Sequence, residues 1–490
     1  MDKDLVSIQE ARDLAEKALE AQQIWANANQ EEVDRVCASM AEVAFNASER
    51  LGRLAAEETG FGVSAHKRIK NEFASKYVWE SIKDIKTVGV VRHDPVRKIN
   101  EIAYPMGVVA ALIPSTNPTS TIMAKTLTSV KARDAVVHAP HPSAYHSSYE
   151  AAQIMARAAE RAGAPPGLVS CMQNISLSGT QELMGHKNVS LILATGGGPM
   201  VRAAHSAGKP AYGVGPGNVP VYVDKTADIE KAARYIVSSK AFDYSTICAT
   251  EQAVVADNPI SHRLSEMMIS QGAFFINEIQ ADALRNTLFF ADGSINPATV
   301  GKSPQHLAGM AGFQVPDFAR ILVARLNRVG KEEPLSREKM TTVLGWYDVE
   351  GWEEGCERSI ELIQFGGRGH TQIIFASDED VILSFGLEKP VFRILVNTMG
   401  TLGAIGFTTG LMPSMTLGAG GLGGSITGDN ITVTHLMNIK RLAYETTPPP
   451  DSILQPGNAY PSASKLETPS HSTQEIESIV RDIINDILKA

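Results

Sequence analysis

The sequence lacks the features that would assign the chain to a membrane, secreted or nucleic-acid-binding class. It has no uninterrupted apolar run of the roughly 18 residues that a membrane span needs. The N-terminal stretch MDKDLVSIQEARDLAEKAL carries no apolar segment after its first lysine, which argues against a secretory signal. A formal net charge of -9 without a long Lys/Arg run argues against nucleic acid as a partner. We therefore expect neither membrane nor nucleic acid as a partner.

Cysteine is scarce. The four cysteines, Cys37, Cys171, Cys248 and Cys356, lie far apart and form no CxxC pair. That spacing is poor material for a disulfide framework or a zinc site. We expect free thiols, a cytoplasmic location and no bound metal.

What the chain does contain is a long alternation of strand-like and helical segments. It has 490 residues, of which 43% are hydrophobic and 20% charged, as in a globular protein with large cores. Residues 8–58 have a helical pattern. From about Ile102, helical stretches separate the apolar runs GVVAALIP, AVVHAP, LVSCMQ, VSLILAT and VPVYVD. From near Lys240 to Gly428 the runs AVVAD, TTVLGWYDV, TQIIFAS and FRILVN follow. This pattern predicts an α/β protein with parallel, doubly wound sheets.

The last part of the chain has a different composition. Residues 447–471 are rich in Pro, Ser and Thr and have little to bury, so we predict a linker there. Residues 472–490 predict an amphipathic helix, because seven aliphatic side chains fall on one stripe. Ser472 and Glu475 could form a capping box at its start.

Cys248 is a candidate nucleophile. It lies in AFDYSTICATEQAVV, where a polar stretch of small residues enters an apolar strand and a substrate could reach the thiol. Taken alone, such a cysteine is more often a small core residue. A free thiol has a pKa of about 8.5, so a nucleophilic role needs help from the surroundings.

Asn117 is a candidate hydrogen-bond donor for a reaction intermediate. It ends an apolar strand in IPSTNPTS, where its amide could stabilise the oxyanion that forms when a thiolate attacks a carbonyl. The alternative is an ordinary Asn-Pro turn after a strand.

Two glycine-rich segments could approach a nucleotide. In ILATGGGPMVRAAHSAG, Gly196 to Gly198 follow a strand and open a helix, whose N-terminus favours a phosphate. The segment departs from the GxGxxG pattern, so a turn without ligand remains an alternative. YGVGPGNVPVYVD is a second glycine-rich connection that leads into a strand.

Seven motifs in one order resemble those of the aldehyde dehydrogenase superfamily. They are PSTNPTS, the PHP within residues 139–142, ATGGGPMV, GVGPGNVP, ICATEQ, GRGHT and MPSMTLGAGGLGG. The chain most closely resembles the CoA-acylating branch, which includes acylating acetaldehyde and sulfoacetaldehyde dehydrogenases and half of the bifunctional aldehyde-alcohol dehydrogenases. The resemblance covers roughly residues 8–444.

The resemblance implies roles for particular residues. Cys248 would be the nucleophile, and Asn117 with the backbone N–H of Cys248 would hold the oxyanion. His370 in GRGHT would border the active cleft, although a histidine in such a loop could equally cap a turn. The dinucleotide would lie beside Thr195, Gly196, Gly197, Gly215 and Gly217.

Two departures from the hydrolytic members of the superfamily are informative. Those members place a glutamate near Val214 to activate water, whereas residues 212–216 offer no carboxylate here. The resemblance therefore implies that a thioester on Cys248 persists until coenzyme A attacks it. The hydrolytic members also use a lysine and a glutamate to bind the adenosine ribose, and the corresponding segment here, VVHAPHPSAYH, contains neither. NAD and NADP both stay open as cofactors.

The implied architecture is an aldehyde dehydrogenase-like fold. We predict a Rossmann-type dinucleotide-binding domain over residues 1–237 and an α/β catalytic domain, which carries the thiol, over 238–428. Residues 429–446 would return to the first domain or to a neighbouring subunit of a homo-oligomer, at least a dimer. Residues 472–490 resemble peptides that target enzymes to bacterial microcompartments, where shell or core proteins would be the partners. The alternative is that they fold back on the enzyme.

The implied reaction converts a short aldehyde, CoA and NAD(P)+ into acyl-CoA and NAD(P)H, reversibly. Acetaldehyde and sulfoacetaldehyde are the expected substrates, with succinate semialdehyde as an alternative. A hydrolytic aldehyde dehydrogenase, a phosphate-ester reductase of the same superfamily and a non-catalytic assembly protein are the other readings.

Overall fold

The computed structural model describes residues 2–454 together with Ser478 and Arg481. Apart from these two residues, the predicted helix over 472–490 lies outside the described residues, as does most of the predicted linker. The chain divides into a large compact unit, Met1–Val91 with Glu101–Lys440, and a small one, Arg92–Asn100 with Arg441–Ala490. The predicted catalytic domain, residues 238–428, falls within the large unit, whereas the predicted first domain, residues 1–237, includes Arg92–Asn100 of the small one.

Helices are more abundant than strands in the large unit, and several begin at a capping residue. At the start of the second helix, Asn29 accepts from the backbone of Glu32 while Glu32 reaches back to the backbone of Asn29. The α-helices, in chain order, are α1 (Lys3–Trp25), α2 (Gln30–Asn46), α3 (Ser48–Thr59), α4 (Ser64–Glu72), α5 (Val78–Ile82), α6 (Pro118–Lys131), α7 (Tyr145–Arg161), α8 (Leu177–Gly185), α9 (Gly198–His205), α10 (Ile229–Ala241), α11 (Asn258–Ser270), α12 (Glu278–Leu288), α13 (Pro304–Met310), α14 (Gly351–Gly366), α15 (Glu379–Glu388), α16 (Gly400–Ala404) and α17 (Asp451–Leu454).

The strands form three sheets. Their bounds are β1 (Gly89–Asp94), β2 (Ile99–Pro105), β3 (Val108–Ile113), β4 (Ala135–Pro140), β5 (Val169–Cys171), β6 (Val189–Thr195), β7 (Ala211–Val214), β8 (Val219–Val223), β9 (Glu251–Asp257), β10 (Ala273–Ile276), β11 (Ile321–Arg325), β12 (Val343–Val349), β13 (Gly369–Phe375), β14 (Val391–Val396) and β15 (Met437–Ala443). Every continuous apolar run named from the sequence coincides with one of these strands. β1, β2 and β15 form a three-stranded sheet that the sequence pattern did not predict.

The first α/β region contains a parallel five-stranded sheet in the order β5-β4-β3-β6-β7. The chain starts at the central strand β3, adds β4 and β5 on one side, and then adds β6 and β7 on the other. All residues of β3 and β4 are buried, which is why they are continuously apolar. This strand order confirms the predicted Rossmann-type arrangement, with its topological switch point between β3 and β6.

The second α/β region contains a parallel seven-stranded sheet in the order β10-β11-β12-β9-β8-β13-β14. The two sheets confirm the predicted parallel α/β class. The chain passes from one sheet to the other between Val214 and Val219. This crossing comes earlier than the boundary placed at residue 237, and the domain limits as such stay predictions.

None of the helices within the described ranges combines the length and the apolar character that a bilayer span requires.

The packing of helix α14 on the seven-stranded sheet can be tested by substituting Gly355, which lies in this helix. A Cβ added at Gly355 would lie 2.4 Å from a ring atom of the buried Tyr222. We expect Gly355→Ala to lower the free energy of unfolding by about 1–3 kcal/mol through overpacking. Gly386 in α15 is the matched control, because an added Cβ there meets nothing within 4 Å. Gly386→Ala should raise stability by up to about 1 kcal/mol through helix propensity. Thermal unfolding measures both, and equal shifts would contradict the packing argument.

Candidate active site

A cavity of about 550 Å³ opens at the switch point of the five-stranded sheet. Parallel sheets bind ligands at this place because the loops after neighbouring strands diverge there. The cavity is lined by residues 113–117 after β3, 195–197 after β6, 214–216 at the crossing between the sheets and 246–248 before β9. The same cavity is thus lined by six of the predicted residues, namely Asn117, Thr195, Gly196, Gly197, Gly215 and Cys248.

Cys248 is the one cysteine of the four that is partly exposed; the others are buried. Burial, and then the carboxylate of Glu338, raises the pKa of the Cys248 thiol to about 12. The guanidinium of Arg393 acts in the opposite direction. At neutral pH the thiol is therefore protonated, and its use as a nucleophile requires a group that takes the proton.

A left-handed turn precedes Cys248. Asp243, Tyr244 and Ser245 have φ values of 47°, 48° and 71°, a conformation that residues other than glycine rarely adopt. Each such residue costs about 1–3 kcal/mol unless the surroundings hold it. Since this turn ends three residues before Cys248, whatever holds the turn also places the thiol.

Asp243 holds this turn. Its carboxylate is fully buried, and Oδ1 accepts from the backbone N–H of Val63 at 2.6 Å. Oδ2 accepts from Lys67 Nζ at 3.1 Å, from Lys70 Nζ at 2.5 Å and from Thr246 Oγ1 at 2.7 Å. Both lysines lie on α4, so a helix that is remote in sequence fixes the segment leading to Cys248. The sequence analysis did not identify these three charged residues.

Asn117 lies at the start of α6, just before Pro118, but its side chain makes no capping hydrogen bond. Instead, Nδ2 donates to the carbonyl of Thr246 at 3.0 Å and to Thr116 Oγ1 at 3.1 Å. Oδ1 accepts from Lys70 Nζ at 2.6 Å. The amide nitrogen therefore faces the segment that carries Cys248, as an oxyanion donor requires.

The start of α9 offers a place for a phosphate. Gly197 is the N-cap of this helix and no side chain caps its first N–H groups. Thr195, Gly196 and Gly197 line the cavity just before them. An uncapped helix N-terminus that faces a cavity suits an anionic phosphate, so these residues fit a nicotinamide dinucleotide.

In the second glycine-rich segment, Gly215 and Gly217 lie in different surroundings, although both were predicted to lie beside the dinucleotide. Gly215 lines the cavity, and a Cβ added there would meet nothing within 4 Å. Gly217 is outside the lining; an added Cβ would lie 2.4 Å from the carbonyl oxygen of Cys248 and 3.0 Å from the His370 ring. Gly217 therefore allows close packing between Cys248 and His370.

His370 lies behind the cavity wall, not in it. It is 1% exposed, and Nδ1 contacts Thr371 Oγ1 at 2.9 Å. Nε2 has no hydrogen-bond partner among the residues described. Burial, with the charge of Arg393, lowers the pKa of His370 to about 3, so the ring is neutral. The ring packs beside Gly217 and close to the carbonyl of Cys248.

Glu338 is a cavity residue that the sequence analysis missed. Its Oε1 accepts from the backbone N–H of Gly217 at 3.1 Å, and it lines the same cavity as Cys248. Burial raises the pKa of Glu338 to about 7, against the opposing effects of the Gly217 N–H and of Lys240. The local sequence REKMTT carries no signal for this role, since the contact joins residues 121 positions apart.

The sequence is similar to a known protein family and to several of its members. The aldehyde dehydrogenase family profile matches residues 5–273. A bifunctional aldehyde-alcohol dehydrogenase of Escherichia coli (strain K12) is 37% identical over 444 residues, 90% of this chain and 50% of that protein. Succinate-semialdehyde dehydrogenase (acetylating) of Clostridium kluyveri is 36% identical over 434 residues, 88% of this chain and 95% of the relative. The chain spans about half the length of the aldehyde-alcohol dehydrogenases it matches.

Solved structures are similar over most of the chain. An acetylating aldehyde dehydrogenase from Geobacillus thermoglucosidasius has a TM-score of 0.90 at 50% identity, covering 92% of this chain and 99% of that one. A propionaldehyde dehydrogenase of Rhodopseudomonas palustris with bound CoA and an acylated cysteine has 0.80 at 27%, covering 89% and 97%. A propionaldehyde dehydrogenase from a Clostridium phytofermentans bacterial microcompartment has 0.80 at 28%, covering 88% and 96%.

These matches confirm the resemblance that the seven motifs indicated. The chain belongs to the aldehyde dehydrogenase family.

Proposed function

We propose that the chain is a CoA-acylating aldehyde dehydrogenase that oxidises a short-chain aldehyde with NAD or NADP and forms acyl-CoA through a thioester on Cys248. The observation that carries the proposal is the single cavity in which the partly exposed Cys248 meets the amide of Asn117 and the uncapped start of α9. The names of the acetylating relatives from C. kluyveri and G. thermoglucosidasius support it.

The covalent chemistry centres on Cys248. The Sγ atom attacks the aldehyde carbon, and the carbonyl oxygen becomes an oxyanion that Asn117 Nδ2 and the backbone N–H of Cys248 stabilise. Asn117 can supply a hydrogen by giving up its contact with Thr116 Oγ1 while keeping the one with the Thr246 carbonyl. The nicotinamide cofactor, when bound, supplies the hydride acceptor. The thioester that remains after hydride loss is then attacked by the sulfur of CoA, whose thiol proton passes to the sulfur of Cys248, so that Cys248 leaves as a thiol.

Glu338 is our candidate for the group that takes the thiol proton. Among the described residues that line the cavity it is the one carboxylate, and a pKa of about 7 suits proton exchange at neutral pH. The same carboxylate favours a second candidate function, hydrolysis of the thioester, because a carboxylate can also activate water. The segment 212–216 supplies no carboxylate of its own. Acyl transfer to CoA therefore requires only that Glu338 accepts the Cys248 thiol proton, whereas hydrolysis requires that Glu338 also activates a water molecule beside the thioester.

The cavity favours a neutral substrate. No Lys or Arg is present among the described residues that line it, whereas apolar side chains such as Phe61, Val300 and Leu417 are. An anionic substrate tail that enters such a cavity loses its hydration without gaining an ion pair. Acetaldehyde therefore fits better than sulfoacetaldehyde or succinate semialdehyde.

Cys248→Ala should abolish acyl-CoA formation and leave the unfolding temperature nearly unchanged, because the thiol is the proposed covalent attachment point. Reaction of purified variants with acetaldehyde, CoA and NAD or NADP, followed by the absorbance of the reduced cofactor, measures this. Cys37→Ala, Cys171→Ala and Cys356→Ala are the controls, since these thiols are buried elsewhere, and each should keep most of the activity. Substantial turnover by Cys248→Ala would contradict the mechanism.

Turnover should depend on CoA. With saturating CoA we expect steady formation of acyl-CoA from acetaldehyde, and without CoA a single turnover that stops at the thioester. Sulfoacetaldehyde and succinate semialdehyde, tested in parallel, should react more slowly. Equal steady rates with and without CoA, with free acid as the product, would establish hydrolysis instead. Glu338→Gln would then show whether this carboxylate activates the water.

We further propose that residues 472–490 dock on shell or core proteins of a bacterial microcompartment and that the enzyme is a homo-oligomer. The support is the predicted stripe of seven aliphatic side chains. An isolated helix of this length would be only marginally stable in water, so burial of the stripe against a partner would stabilise it. A structural neighbour comes from such a compartment.

Truncation after Thr468 should leave activity and oligomer size nearly unchanged, because the described residues that line the cavity all lie between Phe61 and Leu417. Fusion of residues 469–490 to a fluorescent protein should recruit it to shells that are co-expressed with it. Fluorescence microscopy and size-exclusion chromatography measure the two outcomes. Loss of the oligomer on truncation without recruitment of the fusion would assign the segment to the enzyme's own assembly.

A further inference from the structure

Lys70 is a buried ammonium group that the mechanism above does not use. It lies on α4, is 2% exposed, and donates to Asn117 Oδ1 at 2.6 Å and to Thr246 Oγ1 at 2.9 Å. Its third partner is Asp243, which is fully buried. One ammonium group thus touches the amide of the proposed oxyanion donor and the turn that leads to Cys248.

The Lys70 ammonium group on one side and the Thr246 carbonyl on the other favour the same orientation of the Asn117 amide. A carboxamide has an oxygen end and an NH2 end of similar size, and both orientations fit most pockets. An ammonium group has donors and no acceptor, so the atom that faces Lys70 must be the oxygen. The NH2 end is then directed to the Thr246 carbonyl, at the segment that carries Cys248. The reverse orientation would present the amide oxygen to a developing oxyanion and repel it.

We propose that Lys70 is a positioning residue, which orients the Asn117 carboxamide so that its N–H serves as the oxyanion donor beside Cys248. The proposal rests on the proposed function only in using Cys248 as the nucleophile. It holds for acyl transfer to any acceptor.

Two other roles for Lys70 predict different behaviour. It could serve only to neutralise Asp243, but Lys67 also pairs with that carboxylate and in addition donates to the Thr116 carbonyl at 2.9 Å. It could act on the thiol through its charge, but Arg393 lowers the pKa of Cys248 more than Lys70 does. Of the two buried lysines on α4, Lys70 is the one that donates to the Asn117 side chain. Orientation of the Asn117 amide is therefore an effect specific to Lys70.

A pair of chemical probes separates orientation from thiol reactivity. p-Nitrophenyl acetate acylates Cys248 through an oxyanion and needs neither cofactor nor CoA, so its burst of p-nitrophenolate reports on the donor. Iodoacetamide alkylates the same thiol without an oxyanion, and mass spectrometry of the Cys248 peptide follows it. Lys70→Met should slow the burst by about 10- to 100-fold, less than the 10²–10³-fold expected for Asn117→Ala. Alkylation should change by less than about threefold, because an orientation effect leaves the thiol itself unaltered.

A double-mutant cycle tests whether Lys70 acts through Asn117. In the Asn117→Ala background, Lys70→Met should change the burst rate by less than about twofold, because there is no amide left to orient. Lys67→Met is the matched control, with the same helix and the same carboxylate partner. Its effect should be equal in both backgrounds. If Lys70→Met alone does not fold, Lys70→Gln serves in the same cycle, because it removes the ammonium charge while Asp243 keeps Lys67 as its ion-pair partner.

Three results would overturn the proposal. They are an effect of Lys70→Met that persists in the Asn117→Ala background, a parallel loss of acylation and alkylation, and a wild-type protein without a burst. If the burst and the cycle behave as expected while no acyl-CoA forms from aldehydes, the proposed function fails and the role of Lys70 stands.

Discussion

The buried carboxylate of Asp243 joins the segments that meet at Cys248. It bonds to the two lysines of α4, to the backbone before that helix and to Thr246 in the segment that leads to the thiol. A run of three left-handed residues is unfavourable by itself, and a buried carboxylate without partners would be more so. Each makes the other tolerable, because the strained turn brings the carboxylate to the lysines and the lysines hold the turn. The thiol and the amide of Asn117 are placed by the same cluster.

The second constraint is topological. The five-stranded sheet has its switch point between β3 and β6, and the chain crosses to the seven-stranded sheet directly after β7. One cavity therefore receives loops from the five-stranded sheet and the segment that carries the Cys248 thiol. The crossing also explains the glycine pattern of GVGPGNVP, since Gly217 leaves space for the carbonyl of Cys248 and the His370 ring. Motifs far apart in sequence become neighbours through these connections.

Much of the fold was predictable from the sequence because its strands are buried on both faces. Runs such as GVVAALIP and VSLILAT have to be continuously apolar, and they predicted β3 and β6. Cys248 and Asn117 could be named as candidates because each lies in a loop next to a buried strand, inside a recognisable motif. β1, β2 and β15 carry no such signal, since many of their residues are exposed.

The supporting residues of the site could not be predicted in this way. Lys70 and Asp243 are 173 positions apart, and Glu338 meets Gly217 across 121. A charged residue in a helical or turn pattern normally indicates a solvated surface, so burial against a distant partner leaves no local mark. The position of His370 behind the wall depends on the same long-range packing. Only the folded chain distinguishes residues that line the cavity from those that shape it.

The burial of Val214 affects how readily an enzyme of this family could change from transferring its acyl group to a thiol to transferring it to water. This residue ends β7, pairs with Thr195 of β6 and is 3% exposed. Val214 lines the cavity but is nearly buried, so a carboxylate at this position would have a raised pKa and would be less ionised at neutral pH. Exchange of the acyl acceptor from a thiol to water is therefore more than a single substitution. It also requires space for a water molecule beside the Cys248 sulfur, so the shape of the wall at Val214 would help the proposed thioester to persist until a thiol attacks it.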